Sequence, residues 1–127
     1  MKTIFKIISL MMLMILFGCH EAKEQQLTLN QTIWSATKTW FDENDHISGS
    51  SVTVLEFLTE SKGVEIYQDD NGESHSLDFK YRIDGSVIHF VDGLVSGDWY
   101  ILERTEKHLV LQSYNPGKYI LTMDRTY

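Results

Sequence analysis

Cysteine and proline each occur once in the 127 residues. A disulfide framework, a zinc ribbon and a Pro-rich spacer are therefore excluded. Basic charge is also in short supply. Eleven Lys and Arg face eighteen Asp and Glu, for a formal net charge of −7. A surface of that sign repels phosphates, which argues against a nucleic-acid partner. Apolar periodicity of about 3.6 residues is missing beyond the first twenty positions, so no long amphipathic helix is expected. What remains is 43% apolar and 12% aromatic content, enough for the core of one domain.

The N-terminus is read first. Lys2 and Lys6 precede the eleven residues 7–17, of which Ser9 alone is polar. Spanning a bilayer takes about 20 apolar residues, so this run fits a cleaved secretory signal, residues 1–18, better than a permanent membrane helix. It ends in Leu16-Phe17-Gly18-Cys19, which resembles the lipobox of bacterial lipoproteins. That resemblance implies that the Cys19 thiol carries a diacylglyceryl group, with palmitate-type chains, and that the signal is cut before it. Two or more acyl chains hold a protein to a membrane stably where one does not. Position 20 is His and not Asp, which by analogy with enteric lipoproteins implies outer-membrane placement in the cell envelope. Loss of residues 1–18 leaves 109 residues with nine basic and eighteen acidic side chains, a formal −9. With such a charge, lipid and not electrostatics must provide the membrane attachment. Residues 19–30 are expected to be a lipidated flexible tether, and 31–127 the folded domain.

Within that domain the apolar residues alternate. Leu77, Phe79, Tyr81 and Ile83 fall on one face, with Ser76, Asp78, Lys80 and Arg82 on the other. Asp84-Gly85, Asp92-Gly93 and Asn115-Pro116-Gly117 punctuate successive segments as hairpin turns. Strands are expected near Thr32, Val52, Val64, Leu77, Val87, Trp99, Leu109 and Tyr119. The first, Thr32–Phe41, is followed by a polar loop over 42–50 that is the natural candidate for a lid. The run Val52, Val54, Leu55, Phe57 changes phase, which predicts a bulge or a strand buried on both faces. Eight short strands at even spacing predict an all-β antiparallel barrel, since closure removes exposed sheet edges.

Trp34, Tyr81-Arg-Ile-Asp-Gly85, Val87-Ile-His-Phe90, Trp99-Tyr-Ile101, Leu109-Val-Leu111 and Tyr119-Ile-Leu121 together resemble the small lipocalin-like lipoproteins of Bacteroidota. The resemblance covers about residues 30–125. It departs at Thr32-Ile-Trp34, where lipocalins prefer Gly-x-Trp, and at Arg104 before Thr105. It implies a small barrel with a pocket and, for most of the group, no established activity.

Candidate chemistry is sparse. Histidines stand at 20, 46, 75, 89 and 108 with no close ligand spacing, so no metal site is expected. The acidic stretch Asp69, Asp70, Asn71, Gly72, Glu73 fails as a calcium loop: Tyr67 would fall at the first ligand and Asp78 at the last. A hairpin turn explains it better. There is no Gly-x-Ser-x-Gly, no free cysteine beside a histidine once Cys19 is assigned to lipid, and no acid on the apolar face of the clear strands. A non-enzyme without cofactor is the expectation. Trp34, Phe79, Tyr81, Phe90 and Trp99 are candidates to line a site for a small apolar or amphipathic ligand, or else they fill the core. The alternative function is a protein-binding accessory, inhibitor or immunity lipoprotein whose acidic surface meets a basic protein.

Overall fold

A computed structural model describes residues 26–114 and 117–127. Eight strands make up the domain: β1 (Thr32–Phe41), β2 (Ile47–Phe57), β3 (Lys62–Gln68), β4 (Ser74–Asp84), β5 (Val87–Val91), β6 (Gly97–Arg104), β7 (His108–Tyr114) and β8 (Lys118–Arg125). Each pairs antiparallel with its sequence neighbour, and β1 also pairs with β8 through Trp34↔Arg125 to Trp40↔Tyr119, closing the barrel. The expected eight-stranded antiparallel barrel is what the chain forms. Because every connection is a hairpin, alternate turns lie at opposite ends. The segment 26–31, the turns after β2, β4 and β6 and the C-terminus share one end. The turns after β1, β3, β5 and β7 share the other, called the rim below.

Alternation along the strands decides what goes inside. Trp34 and Ala36 of β1, Leu55 and Phe57 of β2, Phe79 and Tyr81 of β4, Ile88 and Phe90 of β5 and Trp99 of β6 are all buried. Leu109 and Leu111 of β7 and Leu121 and Met123 of β8 complete the core. Burying a large apolar side chain contributes roughly 1.5–3 kcal/mol, and eight strands enclose little more volume than such residues occupy. Phe57 meets Phe79 and Tyr81 edge-on, with ring centroids 5.5 and 4.9 Å apart, the arrangement the ring quadrupoles favour.

Two sequence expectations change, and β3 runs against its own hydrophobic pattern. The phase break in β2 is neither a bulge nor double burial. Pairing with β3 runs without interruption from Val54↔Ile66 to Phe57↔Gly63. Thr53 takes the inward position, buried and donating its hydroxyl to the Ile66 carbonyl at 3.0 Å, while Val52 lies exposed outside. Bulges occur instead at Trp40/Phe41 and between Ile101 and Glu103. β3 has the opposite phase to its hydrophobic pattern: Gly63 and Glu65 are buried, and Ile66 is exposed. A Cβ on Gly63 would meet the Phe79 ring at 2.3 Å and the Glu56 carbonyl at 2.5 Å. Glycine there lets the Phe79 ring lie across β3, which fixes which face of the strand turns inward. Finally, the folded unit reaches back before residue 31. Leu29 is buried and Leu27 packs against the core, so this part of the expected tether belongs to the domain.

Candidate functional site

Both mouths of the barrel are covered, each with a tryptophan N–H holding its cover. At the N-terminal end, segment 26–31 crosses the opening with Leu29 beneath it. The Trp34 indole donates to the Thr32 hydroxyl at 2.7 Å, and that hydroxyl donates to the Leu29 carbonyl. At the rim, the β5–β6 loop (92–96) folds inward and buries Val95. The Trp99 indole donates to the Val95 carbonyl at 2.7 Å.

The five aromatics singled out in the sequence are all core residues, none more than 5% exposed. Tyr81 borders an open groove of about 930 Å³ at the N-terminal end, with Leu27, Leu29, Glu60 and Ile83. Its hydroxyl donates to the Thr59 carbonyl at 2.5 Å. Burial, with Glu60 adding to it, pushes that phenol up to about 12. Phe79 borders a smaller open depression of about 310 Å³ beside Lys62, Val64 and Asp92. Cys19 lies outside the described residues, so the lipid-attachment expectation stays with the sequence.

The loop expected over 42–50 as a lid is shorter and tightly wired. β2 already starts at Ile47, and the Asp42 carboxylate accepts the backbone N–H groups of Asn44 and His46 at 2.8 and 2.9 Å. The β3–β4 turn repeats the device: Asp69 accepts from Asn71 and Glu73 at 2.9 and 3.0 Å. Short polar turns of this kind are rigid caps. The cover at this end is the β5–β6 loop.

Each described histidine faces an aspartate: His46–Asp42 at 3.7 Å, His75–Asp69 at 2.7 Å, His89–Asp98 at 2.6 Å and His108–Asp124 at 2.8 Å. The His75 bond, then the backbone N–H of Glu73, lowers the Asp69 carboxyl below its ordinary value. Asp69, Glu73 and His75 bring three ligating atoms within 4.8 Å of one another. Both Asp69 oxygens are already engaged by the turn and by His75, which accounts for the grouping without an ion.

Sequence reasoning passed over the polar feature inside the rim. Glu65 is fully buried. One carboxylate oxygen, Oε1, accepts the Leu94 N–H at 2.7 Å. Oε2 has no hydrogen-bond partner among the described residues. From β1, the Lys38 ammonium donates to the Leu94 carbonyl at 3.0 Å and lies 4.9 Å from the Tyr119 ring centroid. Burial lowers the Lys38 pKa, and the nearby Glu65 charge works against that shift. Two oppositely charged side chains thus grip the N–H and C=O of one loop residue. Local sequence carries no signal for it: Val64 and Ile66 suggest the opposite phase, and Gly63 and Tyr67, in phase with Glu65, do not by themselves mark an inward face. Chemically, the arrangement offers an acceptor and a cationic donor spaced to hold a single amino-acid unit.

Charge is distributed unevenly along the barrel axis. The rim carries Asp42, Glu43 and Asp45 on one turn, Asp69, Asp70 and Glu73 on the next, and Asp92 on the loop. Besides Lys38, Lys118 stands there, 3.8 Å from Asp45 and over the Phe41 ring. At the other end Glu60, Asp84, Glu103, Glu106 and Asp124 are interleaved with Lys62, Arg82, Arg104, Lys107 and Arg125. Comparison of the chain with protein-family models, with curated proteins and with solved structures finds no match.

Proposed function

We propose that this is a lipid-anchored, non-catalytic protein of the cell envelope that binds a basic protein partner at the acidic rim. The observation that carries the reading is the charge segregation just described. The segment leading to Cys19 arrives at the balanced end, so an acyl anchor there directs the rim away from the membrane. Carboxylates on three neighbouring turns focus a negative potential at that free end, which speeds encounter with a cationic surface. The packed interior supports the reading too, because the aromatics that could have lined a deep ligand cavity are spent on the core. Outer-membrane placement rests on the lipobox and on the resemblance to Bacteroidota lipoproteins.

The anchor is tested by mass spectrometry of protein extracted from native membranes. Diacylglyceryl on Cys19 with residues 1–18 absent is expected; an unacylated chain retaining its leader rejects the anchor. The rim is tested with Glu43→Lys, Asp70→Lys and Glu73→Lys combined, none of which holds a turn together by its side chain. Retention of an envelope partner should be lost in that variant. It should also weaken in the wild type between 50 mM and 300 mM salt, as the screening length falls from roughly 14 Å to about 6 Å. Equal retention by variant and wild type rejects the rim. A small amphipathic ligand is a second reading, favoured by the Glu65–Lys38 pair at the same mouth.

A further inference from the structure

We propose that the rim mouth is a binding site for an apolar α-amino acid or the amino-terminal residue of a peptide, at present occupied by Leu94 of the chain itself. The inference rests on the second, small-ligand reading and is independent of a protein partner at the rim.

Glu65 supplies the first reason. Burying a carboxylate is costly unless its charge and its lone pairs are matched. Leu94 provides one neutral N–H to Oε1 and nothing to Oε2, and the Lys38 ammonium is bonded to the Leu94 carbonyl. An ammonium group carries three donors and a positive charge. In the position of the Leu94 nitrogen it would reach the oxygen that lacks a partner and pair directly with the Glu65 charge.

The second reason is the frame. Glu65 holds the N–H and Lys38 holds the C=O of the same residue, at 2.7 and 3.0 Å. A free amino acid presents the same N–Cα–C=O sequence with stronger groups: an ammonium for Glu65 and a carboxylate for Lys38. Charge-assisted bonds of this kind are roughly twice as strong as neutral ones. The Leu94 side chain is half exposed, so the site reads the backbone frame more than the side chain.

The third reason is that the occupant can leave. Leu94 lies in a short loop with positive φ at Asp92 (65°), Gly93 (81°) and Gly97 (123°), hinge positions on both sides of it. Its inward fastenings are the two charged side chains, the Trp99–Val95 bond and the buried side chain of the adjacent Val95. The surrounding carboxylates raise the local concentration of cations.

The test uses the full mature chain with hydrogen exchange at the Leu94 amide and calorimetric titration. The probes are leucine, leucine amide, Leu-Gly and N-acetyl-leucine amide. Ligands with a free ammonium should bind and should raise Leu94 exchange by about tenfold or more, since they expel that N–H from Glu65. N-acetyl-leucine amide, which keeps the carbonyl and side chain but lacks the charge, should do neither. Preference for leucine identifies a free amino acid as the source; preference for leucine amide or Leu-Gly identifies a peptide terminus. Glu65→Gln keeps an oxygen for Leu94 but no charge, and should weaken binding by about tenfold or more. Should that variant misfold, the acetylated control on the wild type decides alone. Absence of binding by every ammonium probe, equal binding of the acetylated probe, or unchanged affinity in a folded Glu65→Gln overturns the proposal. The rim variant with three lysines should still bind leucine or leucine amide, so failure here and failure of the protein-partner reading are separable.

Discussion

At the N-terminal end of the barrel the cover is Leu27 and Leu29 over an aromatic cluster. At the rim it is a loop whose backbone is gripped by Glu65 and Lys38. Both covers carry a buried apolar residue and a tryptophan N–H, but they differ in what lies beneath. The first end converts burial into stability and contains no buried charge among the described residues. The second adds two ionisable groups to its buried Val95, and Glu65 Oε2 has no hydrogen-bond partner among the described residues. Unsatisfied buried polar groups destabilise a fold, so the first end contributes more to stability, and the second is where the proposed binding is placed.

The sharpest way to break that assignment is to remove mass from the first end. Phe57 is 1% exposed and contacts Phe79, Tyr81 and Phe90. Phe57→Ala should cost about 3–5 kcal/mol, the transfer of the ring plus the cavity left behind. Urea unfolding measures it; a loss under about 1 kcal/mol would mean that the cluster is not the main source of stability.

Alkaline pH probes the same end less severely. The Tyr81 phenol is raised from 10.0 to about 12 in the folded chain. A group with a raised folded pKa contributes stability that is fully present below its unfolded value and is lost as pH climbs to the folded one. Stability should therefore fall between pH 10 and about 12, by at most about 1.4 kcal/mol per pH unit for one proton. In Tyr81→Phe that slope should flatten, although the variant also loses the bond to Thr59. An identical slope in the variant would assign the alkaline loss to another group.

Tyr81 was legible in the sequence because β4 alternates cleanly, and it and Phe79 could be placed inward from spacing alone. Glu65 could not. Local alternation on β3 favours Val64 and Ile66 inside, and what reverses it is a contact sixteen residues away, the Phe79 ring lying over Gly63. Covers were equally hard to read. The 42–50 stretch looked like a lid by length and polarity, yet four of its residues extend β2. The five-residue 92–96 loop drew attention only as an Asp-Gly turn. Strand number and order followed from turn chemistry; the interior of the rim depended on tertiary packing.

Gly93 is a milder probe of the rim. A Cβ there would approach Glu65 Oε1 to 2.9 Å, on a backbone with φ near +81°. Gly93→Ala should cost about 1–2 kcal/mol from the left-handed conformation. It should also raise hydrogen exchange at Leu94 by prising the loop from Glu65. Exchange at Leu111 in the core should change only by the global loss of stability. Equal changes at the two amides would mean that the loop opens only when the barrel unfolds.

The smallest effect concerns the outer rim, where two turns share one hydrogen-bonding design but differ at the left-handed position. In the β3–β4 turn the left-handed position belongs to Gly72, with φ of 78°; in the β1–β2 turn Asp45 holds it, with φ of 61°. The third-residue contacts match as well: Asp45 donates its N–H to the Asp42 carbonyl at 3.1 Å, and Gly72 to that of Asp69 at 3.0 Å. A non-glycine residue in this region is strained, though less so for Asp than for most. Asp45→Gly should therefore stabilise the chain by about 0.5 kcal/mol, relief of that strain outweighing the greater backbone entropy of glycine in the unfolded chain. Loss of the exposed Asp45–Lys118 pair, 3.8 Å apart, subtracts little because such pairs are worth about 0–1 kcal/mol. Urea midpoints for this variant and for Gly72→Asp, which should move the opposite way, check the comparison. Two shifts of the same sign would mean that the turns are not equivalent and that Asp45 is retained for its carboxylate, as part of the acidic rim.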